Sequence, residues 1–74
     1  MKSEADWESQ VKGILKAELK RRGVTYARLA ERLGELGVHE NERNLNNKIS
    51  RGGFTAGFFV MCLEGIGCSR LDLS

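Results

Sequence analysis

Apolar residues recur at three- and four-residue spacing through most of the chain, and no stretch sustains a period of two. That pattern is the signature of amphipathic helices. Trp7, Val11, Ile14, Leu15 and Leu19 form one stripe of a helix predicted over about residues 4 to 22. Ser3 is placed to cap it, with Asp6 at the third helical position in a capping-box relation, and Gly23 ends it. Thr25 is a favourable N-cap for a second helix, whose expected buried stripe is Leu29, Ala30, Leu33 and Leu36, with Gly37 as the stop. Gly34 lies inside this pattern and offers an earlier end. A connector of about Gly37 to Glu40 leads to Asn41, the N-cap of a third helix in which Leu45 and Ile49 share one face. Gly52-Gly53 closes it. Phe54, Thr55 and Phe59 have the spacing of a hydrophobic staple around the N-cap of a fourth helix, about residues 56 to 66. That helix carries Phe58, Phe59, Val60, Met61, Cys62, Leu63 and Ile66 on more than one face, so it is either central or partly covered by a partner chain. Ser69 can start a short fifth turn, with Leu71 and Leu73 packing back.

These stripes predict an all-α fold: a compact bundle of four to five short helices forming one domain over residues 1–74. The chain has no proline, and glycine supplies the punctuation. Gly23, Gly37, Gly52-Gly53 and Gly67 each follow an amphipathic stretch, where a glycine just past a helix end is expected. A 74-residue chain is near the lower limit for an unaided core, which argues against a large buried active site. No apolar run is long enough to span a bilayer, and the start, Met1-Lys2-Ser3-Glu4, has no signal-peptide apolar region behind it. The reading is a soluble, cytoplasmic protein without a membrane partner.

The formal net charge of +2 hides an alternation. Residues 1–10 carry −2, residues 11–28 carry +5 (Lys12, Lys16, Lys20, Arg21, Arg22 and Arg28 against Glu18), residues 29–42 carry −3 and residues 43–51 carry +3. The second basic block is the third helix itself. At about 100° per residue, Arg43, Asn47, Ser50 and Arg51 point away from the Leu45/Ile49 face, with Asn44 and Asn46 on its flanks. Four Asn fall within residues 41–47. Asn is a mediocre helix former, and a merely solvated helix usually carries Glu, Lys and Ala instead. Arg matches guanine, Asn matches adenine and Lys meets the backbone, so a helix held by two apolar residues and presenting these groups suits a DNA groove.

The second and third helices, joined by a short turn, make a helix-turn-helix candidate. Gly23-Val24-Thr25-Tyr26-Ala27-Arg28-Leu29-Ala30-Glu31-Arg32-Leu33 resembles the second-helix signature of the lambda-repressor/Cro-like helix-turn-helix family: Gly, apolar, Ser/Thr, variable residues, then Leu-Ala-x-x-Leu. Ile49-Ser50-Arg51-Gly52 resembles the end of its recognition helix, and Phe59, Leu63, Ile66-Gly67 and Leu71-x-Leu73 its closing helices. The resemblance covers about residues 11 to 73. The block from Asn41 to Gly67 also resembles a small bacterial family of uncharacterised domains. Two departures stand out. Tyr26 occupies the place where the family usually has a phosphate-contacting Gln. The stretch from Leu29 to Gly52 is about six residues longer than the usual pattern, giving an extended connection between the second and third helices, either as an extra helical turn or as an enlarged loop.

The resemblance implies a sequence-specific DNA-binding module, a transcriptional regulator or accessory factor of a mobile element, with double-stranded DNA as partner. It implies base contacts from Arg43, Asn44 and Asn47, and phosphate contacts from Thr25, Tyr26, Lys48 and Arg51. Arg28 is expected to join the phosphate contacts. A homodimer binding two half-sites is expected, through Phe58, Met61 and residues 69–73; in the competing monomer, the first helix covers that surface through Trp7 and Val11. The rival reading is a protein-interaction module that keeps the fold without binding DNA, using the apolar surplus at Phe58, Val60 and Met61.

Other chemistry finds little support. Cys62 and Cys68 match no Cys-x-x-Cys pair, and His39 is the single histidine, so no metal or other cofactor is expected. Cys62, inside an apolar pattern, is expected to be a small core residue. No nucleophile–base–acid set is available, and an enzyme is not expected. Gly52-Gly53 lacks the strand and lysine of a phosphate loop. Glu4, Asp6 and Glu8 suit the positive end of a helix. Lys12, Lys16 and Lys20 are read as a solvated row rather than a binding one, and Trp7 as a core anchor.

Overall fold

A computed structural model describes residues 1–71 and Leu73. Four helices follow in order: α1 (Glu4–Arg21), α2 (Tyr26–Glu35), α3 (Glu42–Arg51) and α4 (Ala56–Gly65). The described residues contain no strand.

Each helix starts on the side chain expected to cap it. Ser3, Thr25, Asn41 and Thr55 are in extended conformation and accept from the backbone N–H three residues on, at 3.3, 3.1, 2.8 and 3.1 Å. This satisfies donors that would otherwise be orphaned at a helix start. At Ser3 the box is reciprocal, since its backbone N–H donates to Asp6 at 2.9 Å. These bonds hold the Asp6 carboxyl below the usual carboxylate range.

Three helices also end alike. Val24, Val38 and Cys68 each donate a backbone N–H back to the carbonyl of Leu19, Leu33 and Leu63 at 2.9 Å, with a glycine at positive φ just before each donor. This Schellman arrangement closes the helix and drops the following residue onto the core. Val24, Val38 and Cys68 all pack there.

The core is one cluster: Leu15 and Leu19 of α1, Leu29 and Leu33 of α2, Leu45 and Ile49 of α3, and Cys62, Leu63 and Ile66 around the end of α4. The third helix packs on α1 and α2, and α4 packs on α2. The α4–α2 approach is close, since a Cβ on Gly65 would sit 3.2 Å from Leu33 Cδ2. Phe54 stacks on Phe59 at 6.0 Å, which completes the staple at the start of α4.

The structure corrects several expectations. Leu36 is 52% exposed, not part of the buried stripe. The second helix stops at Glu35, the chain reverses at Gly37, and Val38 takes the inward position instead. Trp7 is 54% exposed, not a core anchor, and carries the Lys2 ammonium over its ring at 4.6 Å. No fifth helical turn forms over residues 69–71. Leu71 packs on the core, whereas Leu73 is exposed; Asp72, within the expected turn, lies outside the described residues. Both cysteines are free, and Cys62 is fully buried in the core as expected. Among the described residues no helix is long and apolar enough to cross a membrane.

Candidate nucleic-acid interface

The third helix is held by its two aliphatic residues. Leu45 and Ile49 are completely buried, while Arg43, Asn44, Asn46, Asn47, Lys48, Ser50 and Arg51 are all exposed. The start of α3 combines the helix dipole with the Asn41 cap and the acid Glu42. Its end is fixed from α1: Lys12 Nζ donates to the carbonyl of Ser50 at 3.2 Å, placing a cation at the negative pole of the helix. Among the described residues, no hydrogen bond or ion pair engages the side chains of Arg43, Asn47 or Arg51. They stand as an outward ridge with their donors and acceptors free for a ligand.

One flank of this ridge meets the later part of α1's basic row and the start of α2. A cleft of about 400 Å³ is lined by Lys16, Leu19, Lys20, Val24, Thr25, Tyr26 and Glu42. Glu42 also lines a neighbouring shallow cleft with Asn41, Arg43 and Asn46, so the two are contiguous. Tyr26 is half-buried, and burial pushes its phenol above the ordinary value. The hydroxyl therefore keeps its proton at neutral pH and remains a hydrogen-bond donor. Thr25 accepts from the Arg28 backbone as the cap, which leaves its hydroxyl hydrogen to donate outward.

The other flank faces α4. Lys48, Arg51, Gly53, Phe54, Thr55 and Phe58 line a cleft of about 360 Å³. Here two cations stand beside two aromatic rings and the N-terminal end of α4. Lys48 is not free. Its Nζ is 2.5 Å from Glu40 Oε1 and 5.4 Å from the centre of the Phe58 ring.

The predicted site residues are thus divided. Thr25 and Tyr26 join the Arg43 end of α3 through Glu42, and Lys48 and Arg51 share the α4 flank. Arg28 is elsewhere: it pairs with Glu31 at 2.8 Å and lines a cleft with Arg32, Glu35, Leu36, Glu64 and Gly65. Arg32 in that cleft donates to the carbonyl of Gly65 at 3.4 Å, near the end of α4.

Two residues that sequence reasoning had left as a solvated row, Lys16 and Lys20, belong to the Thr25–Tyr26 cleft. Their four-residue spacing was visible in the chain. That the row abuts the start of α2 is a consequence of tertiary packing and leaves no local mark.

A family model described as a domain of unknown function, DUF6471, matches residues 7–71. The chain belongs to this family. The match takes in the whole bundle apart from the first residues of α1, and so includes both flanks of α3. No curated protein and no solved structure matches the chain.

Proposed function

We propose that this DUF6471 domain is a sequence-specific DNA-binding module of the lambda-repressor-like helix-turn-helix type, serving as a transcriptional regulator, with α3 as the recognition helix. The observation that carries the reading is the free ridge of Arg43, Asn47 and Arg51 on a helix held by two buried residues. Asn41 caps the helix and Asn46 accepts from Ser50, but Asn44 and Asn47 add little to a helix that is merely solvated. In the groove, Arg43, Asn44 and Asn47 would read base edges. Phosphates would be met on one side by Thr25 and Tyr26, joined by Lys16 and Lys20, and on the other by Arg51, with Lys48 beside it engaged by Glu40. Arg28 stands apart from these groups and would need a bent or extended DNA path to reach a phosphate.

The extended connection between α2 and α3 runs from Leu36 to Asn41. The Schellman closure at Gly37 and the Asn41 cap give it a defined path, which favours one fixed aim of α3. Two half-sites read by a homodimer remain the expected mode, because one small domain gains limited affinity alone.

Fluorescence anisotropy with a mixed-sequence duplex, over a range of salt, tests the reading. The expected result is binding with a dissociation constant of roughly 1–100 μM near physiological salt, tightening steeply as salt falls. Selection from a randomised duplex pool should then enrich one motif. Absence of any binding at low salt overturns the proposal.

One observation favours the rival reading, a protein-interaction module. Val60 is 58% exposed on α4, beside a cleft of about 400 Å³ formed with Leu63, Glu64, Gly67, Cys68 and Ser69. If DNA binding is absent while Val60→Asp abolishes a self- or partner-association, the interaction module is the better account.

A further inference from the structure

Glu40 is an acid in an unfavourable position. It stands in the connector just before α3, its side chain is 12% exposed, and it reaches Lys48 Nζ at 2.5 Å. Its second oxygen, Oε2, is buried without a hydrogen-bond partner. A carboxylate that loses its water and satisfies only one oxygen gives up more hydration than one ion pair returns. The pair is therefore a poor device for stabilising the fold.

Its effect on Lys48 is definite. The ammonium is drawn to Glu40 and over the Phe58 ring, on the α4 flank of α3, while the other cations of the helix, Arg43 and Arg51, carry no such partner among the described residues. A phosphate arriving on this flank meets a cation whose charge is already matched. It must either break a short ion pair or approach the Glu40 carboxylate.

We propose that Glu40 is a positioning residue that withholds Lys48 from nucleic-acid phosphate and thereby sets how tightly the domain binds DNA. The inference rests on the DNA-binding reading above. The ligand is a backbone phosphate of duplex DNA. Base contacts by Arg43 and Asn47 are unaffected, so Glu40 acts on affinity for all sequences alike.

The test is Glu40→Gln, which keeps the shape and removes the charge. It is measured against Glu35→Gln, which makes the same change in net charge at an exposed acid of α2 in the Arg28–Arg32 cleft. Binding of a mixed-sequence duplex is followed by anisotropy over a range of salt. One further phosphate contact adds about 0.9 to the slope of log K against log salt, or roughly an eight-fold gain at ~0.1 M relative to 1 M. That gain and that slope are expected for Glu40→Gln, only a small gain for Glu35→Gln, and loss of the gain in the Glu40→Gln/Lys48→Ala double variant. Glu40→Asp, whose shorter carboxylate retreats from Lys48, serves if the amide variant fails to fold, with a smaller change in the same direction. If the wild-type domain binds DNA but Glu40→Gln matches Glu35→Gln, the proposal is overturned and the DNA reading stands. If neither wild type nor Glu40→Gln binds, both fall. Binding by Glu40→Gln alone supports both.

Discussion

Gly52 ends α3 against the backbone of Glu8: a Cβ at position 52 would lie 2.9 Å from the Glu8 carbonyl oxygen and 3.4 Å from Lys12 Cβ. The contact fixes the far end of α3 to α1, and it also needs a left-handed backbone, φ 77°. Any side chain here meets both penalties. Gly52→Ala should destabilise the domain by about 2 kcal/mol or more, through the left-handed conformation and the backbone clash together. The control is Gly13→Ala, in the middle of α1 with nothing within 4 Å of the new Cβ. That change should stabilise by roughly 0.5–1 kcal/mol through helix propensity. Urea unfolding midpoints for the two variants should move in opposite directions. A Gly52→Ala protein as stable as wild type would mean that α3 is not held against α1 as described.

Base reading by α3 has a positional signature. Arg43→Ala should cost roughly 1–3 kcal/mol of discrimination at one base position and relax the preference there, because a bidentate guanidinium reads a single pair. Asn47→Ala should do the same at a different position. Comparing the motifs enriched from a randomised duplex pool by wild type and each variant checks this. A uniform loss of affinity with an unchanged motif would move both residues to the phosphate backbone.

The cleft shared by Lys16, Lys20, Thr25 and Tyr26 makes a separate prediction. Both lysines are exposed, so replacing them leaves the core untouched. The Lys16→Ala/Lys20→Ala variant should unfold at the same temperature as wild type. Its log K against log salt should flatten by about 1.8, since two phosphate contacts of about 0.9 each are lost. An unchanged slope would return the row to the role of a solvated face.

Local signals were written plainly in the chain and distant ones were not. The caps at Ser3, Thr25, Asn41 and Thr55 and the glycines after each helix act within one turn, so sequence located every helix. Leu45 and Ile49 were legible as the buried pair because their spacing fixes one face. Periodicity says which way a residue points, but not whether anything lies opposite. Trp7 points along the α1 stripe, yet α1 has 18 residues against 10 in each of its neighbours, and contacts to the α3 end are made at Glu8 and Lys12. Its first turn overhangs the bundle, and the indole is left to Lys2. Leu36 failed for a related reason, since the helical register stops one residue before it. In the candidate site, the outward ridge of α3 could be read from the wheel. The Glu40–Lys48 pair could not, because it depends on the path of the connector.

Self-association should depend on Val60. The dimer surface expected from sequence included Met61 and Phe58, but both are half-buried and packed against the core. Val60 is the large apolar residue that α4 leaves in solvent. Sedimentation between about micromolar and millimolar concentration is expected to show a dimer, and Val60→Asp a monomer, through the cost of burying a charge at an apolar contact. A strictly monomeric wild type over that range removes the dimer.

Cys62 gives a pH dependence with a definite sign. Burial pushes its thiol up to about 12 from an ordinary 9.0, with the Glu40 carboxylate raising it further and Lys48 drawing it back. Below pH 9 the thiol is protonated in both folded and unfolded chains, and its contribution to stability is fully present. As pH rises from about 9 towards 12, the unfolded chain loses this proton first, so the contribution falls away. Unfolding free energy should therefore decline over this window with an extra slope that Cys62→Ala removes. The variant will be less stable at every pH, because the thiol fills core volume, but the slope is what isolates ionisation from packing. The same protonation predicts reactivity. At pH 8 a thiol reagent should modify the partly exposed Cys68 in the folded protein and reach Cys62 only on unfolding. Rapid modification of both cysteines under native conditions would show that the α4 core opens far more readily than its packing implies.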